Sequence, residues 1–123
     1  MEGKLVLVVE DNAVNMELVR DVLQAKGYRT LEATSGEEAL ELVRGEAPDL
    51  ILLDIQLPGI DGVETLARLR EAPETAATTV VALTAQAMRG DRESFLAAGF
   101  DGYISKPIDV PEFIRAVGQY LEG

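Results

Sequence analysis

Two kinds of hydrophobic spacing alternate along the chain. Short unbroken apolar runs stand at residues 4–9 (KLVLVV), 50–53 (LILL) and 80–83 (VVAL), and each ends on a polar side chain. Runs of this kind read as strands buried on both faces, as in the middle of a parallel sheet. Residues 28–33 form a fourth strand, placed nearer a sheet edge by Arg29 and Glu32, and residues 102–105 a short fifth.

Between the runs the period lengthens to that of a helix. Val14, Leu18, Val19, Val22 and Leu23 fall at helical spacing, and Gly27 sits where a helix-terminating glycine belongs. Ser35 with Glu38 is a capping box ahead of Ala39, Leu40 and Val43. Asp61 with Glu64 repeats it ahead of a helix carrying Val63, Leu66, Ala67 and Arg70. A fourth helix is predicted from near Met88 to Gly99, with Phe95, Leu96 and Ala98 apolar. Asp109 and Glu112 open the last, where Val110, Phe113, Ile114, Val117 and Leu121 make an apolar stripe. Residues 72–79 (APETAATT) are small and polar, hence a loop. Strand and helix alternate five times, the pattern of a parallel sheet covered by helices on both sides. The expectation is one α/β domain over residues 1–123, without repeat or linker.

Composition narrows the function classes. A chain of 123 residues suits a single core. Its net charge of −11, with no basic cluster, argues against nucleic acid and anionic membranes as partners. Without cysteine there is no disulfide, thiolate metal site or thiol catalysis; without histidine there is no imidazole base or phosphohistidine in this chain. The first apolar run is too short for a signal-peptide core, and nothing approaches membrane-spanning length. The expectation is a cytoplasmic protein, monomeric or weakly dimeric.

The chemistry gathers where the strands end. In an open α/β sheet, ligands bind beyond the carboxyl ends of the strands. The first strand brings Glu10 and Asp11 to that edge, the third Asp54, the fourth Thr84 and the fifth Lys106. Carboxylates brought within a few ångströms repel by on the order of 4 kcal/mol per pair at an effective dielectric near 20. Raised pKa values or a bound cation relieve that repulsion. An all-oxygen set favours a hard divalent ion such as Mg2+, which takes one or two carboxylates and a phosphate oxygen. Lys106 is a point charge suited to the same anionic group, and Thr84 offers a hydroxyl donor. These are the parts of a phosphoryl-transfer site with Asp54 as nucleophile.

Each residue also has a plainer reading. Asp54 could be a strand-end turn residue, and Asp11 or Asn12 could simply cap the first helix. Thr84 could be an ordinary strand residue, Lys106 a surface lysine, and Tyr103 a packed aromatic. Asn15 and Met16 read better as a solvated helix face than as a partner contact.

The motifs VVEDN at Glu10-Asp11, LILLDIQLPGIDG around Asp54, VVALTA at Thr84 and YISKPI at Lys106-Pro107 stand in order at these intervals. Over essentially its whole length the sequence resembles the response-regulator receiver domains of two-component signalling, in particular single-domain regulators of the DivK kind. The resemblance implies a flavodoxin-like sheet of order 2-1-3-4-5 flanked by five helices, an order known for a chemotaxis member of this family. It implies that Asp54 accepts a phosphoryl group from a histidine of a sensor kinase or phosphotransfer protein. Asp11, Asp54 and the main-chain carbonyl of Gln56 would hold Mg2+, with Glu10 acting through water. Lys106 would pair with the phosphoryl group, its bond to Pro107 would be cis, and Thr84 with Tyr103 would switch binding to a downstream protein. Gln56 and Gln86 flank the site and leave the lifetime of the phosphorylated form open.

Three other readings compete. The chain could be a receiver excised from a hybrid kinase or larger regulator, although its start and final helix read as natural ends. A small phosphohydrolase with an aspartyl-phosphate intermediate would want a second acid where Gln56 stands, and more chain for a cap. A flavin carrier would want a Ser/Thr/Gly-rich loop where Glu10-Asp11 would repel phosphate. The expected output is therefore protein binding, with no turnover beyond the chain's own phosphorylation and dephosphorylation.

Overall fold

The computed structural model describes residues 3–85 and 91–122. Among them the elements run β1 (Leu5–Val9), α1 (Ala13–Ala25), β2 (Arg29–Ala33), α2 (Gly36–Leu42), β3 (Leu50–Asp54), α3 (Gly62–Glu71), β4 (Thr79–Thr84), α4 (Asp91–Ala98), β5 (Gly102–Ser105) and α5 (Val110–Glu122). The strands are parallel in the expected order β2-β1-β3-β4-β5. The helix start predicted near Met88, and Gln86, lie outside the described residues.

The unbroken apolar runs follow from burial on both faces. Alternate residues of β1, β3 and β4 (Val6, Val8, Leu50, Leu52, Val81, Leu83) meet α1 and α5 through Met16, Val19, Leu23, Phe113 and Val117. The intervening ones (Leu7, Val9, Ile51, Leu53, Val80, Ala82) meet α2 and α3 through Ala39, Val43, Leu66 and Leu69. Each fully buried Leu or Val contributes roughly 1.5–3 kcal/mol. β2 has a partner on one side only and is less buried than the central strands, with Arg29 and Glu32 exposed and Ala33 buried.

Capping follows the sequence with local differences. Asn12, not Asp11, caps α1 through Asn15 N–H (3.0 Å), which leaves Asp11 to the strand edge. Ser35 caps α2, but the Glu38 carboxylate accepts from Thr34 N–H (2.7 Å), one residue before the partner a capping box requires. Asp61 caps α3 at Glu64 N–H (2.9 Å), while the Glu64 carboxylate pairs with Arg68 one turn on. Asp109 accepts from Glu112 N–H at the start of α5. Gly27, with φ +89°, ends α1 in the left-handed region.

The structure corrects the helix faces. α1 buries Met16, Val19 and Leu23, whereas Val14 is 78% and Leu18 37% exposed. At about 100° per residue, Val14 and Leu18 lie on the side of the helix opposite Met16, which the sheet claims as core. Met16 is therefore neither solvated nor available to a partner, while Asn15 beside it is half-buried. On α3 the buried stripe is Gly62, Thr65, Leu66 and Leu69, and Val63 and Ala67 face out. Among the described residues no helix is long and apolar enough to cross a membrane.

Candidate functional site

The parallel order sets the ends of β1, β3 and β4 side by side, and a cleft of about 330 Å³ opens beyond them. Its walls include Glu10, Asp11, Asp54, Gln56, Thr84 and Lys106, so the residues expected at the strand edge do converge. Glu10 follows β1 directly, is 1% exposed, and is fixed by its N–H to Ala33 O (3.0 Å). Asp54 is the last residue of β3 and is 5% exposed. Thr84 closes β4 and accepts Lys106 N–H at its carbonyl (2.8 Å), which aims Lys106 into the cleft. Tyr103 lies outside it, half-buried on β5 with its ring 6.0 Å from that of Phe95. The Lys106–Pro107 peptide is cis.

The Lys106 ammonium bridges the two buried acids, 2.7 Å from Glu10 Oε1 and 3.0 Å from Asp54 Oδ2. Asp54 Oδ1 accepts the main-chain N–H of Gln56 (3.1 Å), and Glu10 Oε2 that of Asn12 (3.1 Å). Burial pushes the Glu10 pKa above its ordinary 4.5; Lys106 opposes this, and neighbouring Asp54 adds to it. Burial works against the Lys106 ammonium too, but its ion pairs with Glu10 and Asp54 outweigh that and raise its pKa.

One oxygen each from Glu10, Asp11 and Asp54 lies within 4.8 Å of the others. Glu10 Oε1 is paired with Lys106 in charge but not in hydrogen-bond geometry, so this buried oxygen still has acceptor capacity. An all-oxygen donor set with an unused buried acceptor fits a hard divalent cation.

The raised Glu10 pKa carries a sign for stability. A carboxyl whose folded pKa exceeds its unfolded one stabilises the fold below the unfolded value, and that contribution fades as pH rises through the folded value. In ion-free protein, Glu10→Gln is thus expected to flatten the decline in urea midpoint from pH 4.5 toward neutrality. Parallel midpoint curves for the two proteins would show that Glu10 carries no such linkage.

Two contributors escaped the sequence. Asn15 lines the cleft one helical turn after Asp11, where a polar residue on α1 gives no local signal. Gly62 packs against the Asp54 main chain, a closeness that only the fold creates.

Residues 6–118 match the response regulator receiver domain family. The polar-differentiation response regulator DivK of Brucella ovis is 49% identical over 118 residues, 96% of each chain, and that of Brucella anthropi is 48% identical over the same length. Among solved structures, the receiver domain of the Pseudomonas aeruginosa sensor histidine kinase PA1611 superposes with a TM-score of 0.89 at 33% identity, covering 98% of this chain and 99% of that one. That protein holds a magnesium ion coordinated in its active site cleft. The chemotaxis response regulator CheY4 of Vibrio cholerae superposes with a TM-score of 0.91 at 25% identity, covering 97% and 99%. These near-full-length relatives are response regulators and receivers, which disfavours the phosphohydrolase and flavin readings. With its sheet order, its strand-edge acids and its relatives in agreement, the chain belongs to the response regulator receiver domain family.

Proposed function

We propose that Asp54 accepts a phosphoryl group from a phosphohistidine on a sensor histidine kinase or histidine phosphotransfer protein, and that the product changes which protein the receiver binds. The observation that carries this reading is the convergence of Glu10, Asp11 and Asp54 within 4.8 Å, with the Lys106 ammonium on Asp54 Oδ2. In the transfer an Asp54 oxygen bonds phosphorus while the phosphorus–nitrogen bond breaks, and the donor imidazole leaves with its electron pair. Asp11, Asp54 and the Gln56 carbonyl would hold Mg2+ directly, with Glu10 acting through water. When bound, Mg2+ supplies positive charge against the carboxylates and the transferred group.

Lys106, already inside the cleft, pairs with a phosphoryl oxygen, and the Thr84 hydroxyl donates to another. Tyr103 takes up the space that Thr84 leaves. The added charge biases an equilibrium between two arrangements through their different contacts with the phosphoryl group. Val14 and Leu18 are exposed on α1, the helix whose Asn15 lines the cleft, and offer a donor protein an apolar seat. The receiver works in the cytoplasm as a phosphoacceptor switch rather than a turnover enzyme, as a monomer or weak dimer.

The test is intact mass after incubation with acetyl phosphate and Mg2+, on wild type and Asp54→Asn, with and without chelator. One labile phosphoryl adduct is expected on wild type alone, and chelator should remove it. An equal adduct on Asp54→Asn would overturn the assignment of the acceptor. No adduct on wild type, together with no beryllofluoride binding, would make the chain a docking domain only.

A further inference from the structure

Residues 33–37, where β2 runs into α2, line no part of the acidic cleft, yet they hold two of the segments that do. Ala33 O accepts the N–H of Glu10 (3.0 Å). Gly36 and Glu37 meet the turn between β3 and α3, the stretch that carries Gln56.

Within that turn, Ile60 is gripped at side chain and main chain together. A Cβ added to Gly36 would stand 2.8 Å from Ile60 Cγ1 and 3.0 Å from Cδ1, and would overlap the Thr65 hydroxyl, so the glycine leaves the space in which Ile60 sits. Glu37 Oε2 accepts the Ile60 N–H (3.4 Å). Gly59, with φ +74°, backs onto the same carboxylate: an added Cβ would lie 2.7 Å from Oε2 and 3.1 Å from Oε1. Neighbouring Glu38 turns the other way, accepting from the Thr34 N–H (2.7 Å) and hydroxyl (3.1 Å), while Ser35 Oγ accepts Glu38 N–H (3.1 Å). Those bonds fix the entry to α2 and leave Glu37 to the turn. The foot of the turn is closed separately, by Gly62 N–H on Ile55 O (2.9 Å) and Gln56 N–H on Asp54 Oδ1 (3.1 Å). Glu37 is exposed, and a carboxylate in the first turn of a helix has a plainer use in offsetting the helix dipole. That use does not account for a grip on Ile60.

We propose that Glu37 is a positioning residue for the cleft: together with Gly36 it seats Ile60 against the start of α2 and so steadies the turn that presents the Gln56 carbonyl. The step from the turn to Mg2+ rests on the proposed role of Gln56 in holding that ion. Residues 56–61 are tied at the foot by Ile55 and Asp54 and toward the tip by Glu37, with exposed Pro58 and Gly59 between. A turn held at both ends has fewer arrangements to lose when an ion binds. Groups that brace a ligand thereby govern metal affinity without touching the metal.

Amide hydrogen exchange and amide chemical shifts of the whole, ion-free protein read the turn directly, in wild type, Glu37→Ala and Glu37→Gln. In Glu37→Ala the Ile60 amide should exchange about threefold faster relative to Leu52 in β3, the loss of one long hydrogen bond, and the Gln56 amide signal should shift. The Leu52 amide corrects for any global destabilisation. Glu37→Gln keeps an acceptor oxygen without the charge and should stay close to wild type. Unchanged Ile60 and Gln56 amides in Glu37→Ala overturn the positioning role. Equal loosening in both variants overturns it too, by assigning the effect to charge at the start of α2. Calorimetric titration with Mg2+ should then give a dissociation constant about threefold higher for Glu37→Ala. Glu37→Gln should bind nearly as wild type does, as should Glu41→Gln, which removes an exposed charge from the same helix. An unchanged constant in Glu37→Ala would confine Glu37 to the turn and overturn its part in the cleft. If wild type itself binds no Mg2+, the metal reading fails and the step to Mg2+ with it, while the Ile60 and Gln56 amides still decide whether Glu37 holds the turn.

Discussion

In ion-free protein, Lys106→Met is expected to lower the unfolding free energy by about 3–5 kcal/mol, the cost of leaving a buried charge without its partner. Glu10 and Asp54 have side chains only 1% and 8% exposed, and the ammonium between them is their nearest compensating charge. Methionine keeps most of the stem's apolar contact and removes the charge, so the loss reports on electrostatics. The two carboxylates would then repel across the cleft, and protonation or a metal ion would be their remaining relief. A divalent ion at a hundred times its dissociation constant should restore about 2.7 kcal/mol. Urea denaturation of wild type and Lys106→Met, with chelator and with Mg2+, reads both effects. Equal losses in the two media would mean that Lys106 and the metal site do not share the same carboxylates.

Gly62→Ala should strike the proposed acceptor, Asp54, from beneath. A Cβ there would stand 2.5 Å from Asp54 O and 2.8 Å from Ile55 Cα, both main-chain atoms that cannot rotate away. Overpacking of this kind costs about 1–3 kcal/mol. The larger effect falls on chemistry, because the closer of the two atoms belongs to Asp54, the proposed acceptor. A misplacement on the order of 1 Å can slow a reaction about a hundredfold, and a loss of that order in the rate of adduct formation from acetyl phosphate is expected. Gly45, where a Cβ would meet nothing within 4 Å, is the control, and its alanine variant should keep both stability and rate. If Gly62→Ala loses stability but phosphorylates at the wild-type rate, the β3–α3 turn gives way without moving Asp54.

Much of the fold can be read locally because a strand buried on both faces has no polar alternation to hide it. Leu50 to Leu53 announce a central strand, and Arg29 and Glu32 announce an edge one. The convergence of Glu10, Asp11, Asp54, Thr84 and Lys106 is likewise legible, since parallel strands share one carboxyl edge whatever their order. Helix faces were harder. Val14 and Leu18 share helical spacing with Val19, Val22 and Leu23, and an apolar count cannot tell which arc meets the sheet.

The order of residues alone specifies the class of fold, the succession of elements and the set of side chains at the strand edge, because each follows from local periodicity and from where a strand ends. Packing in three dimensions was needed to establish that Lys106 bridges Glu10 and Asp54, that Gly62 supports the Asp54 main chain, that Met16 is core, and that Arg70 joins α3 to the turns before β4 and after α4. Those contacts join residues 8 to 96 positions apart across turns and strands, or depend on the angle at which a helix docks. Such geometry is set by packing against neighbours distant in the chain, and no local pattern records it.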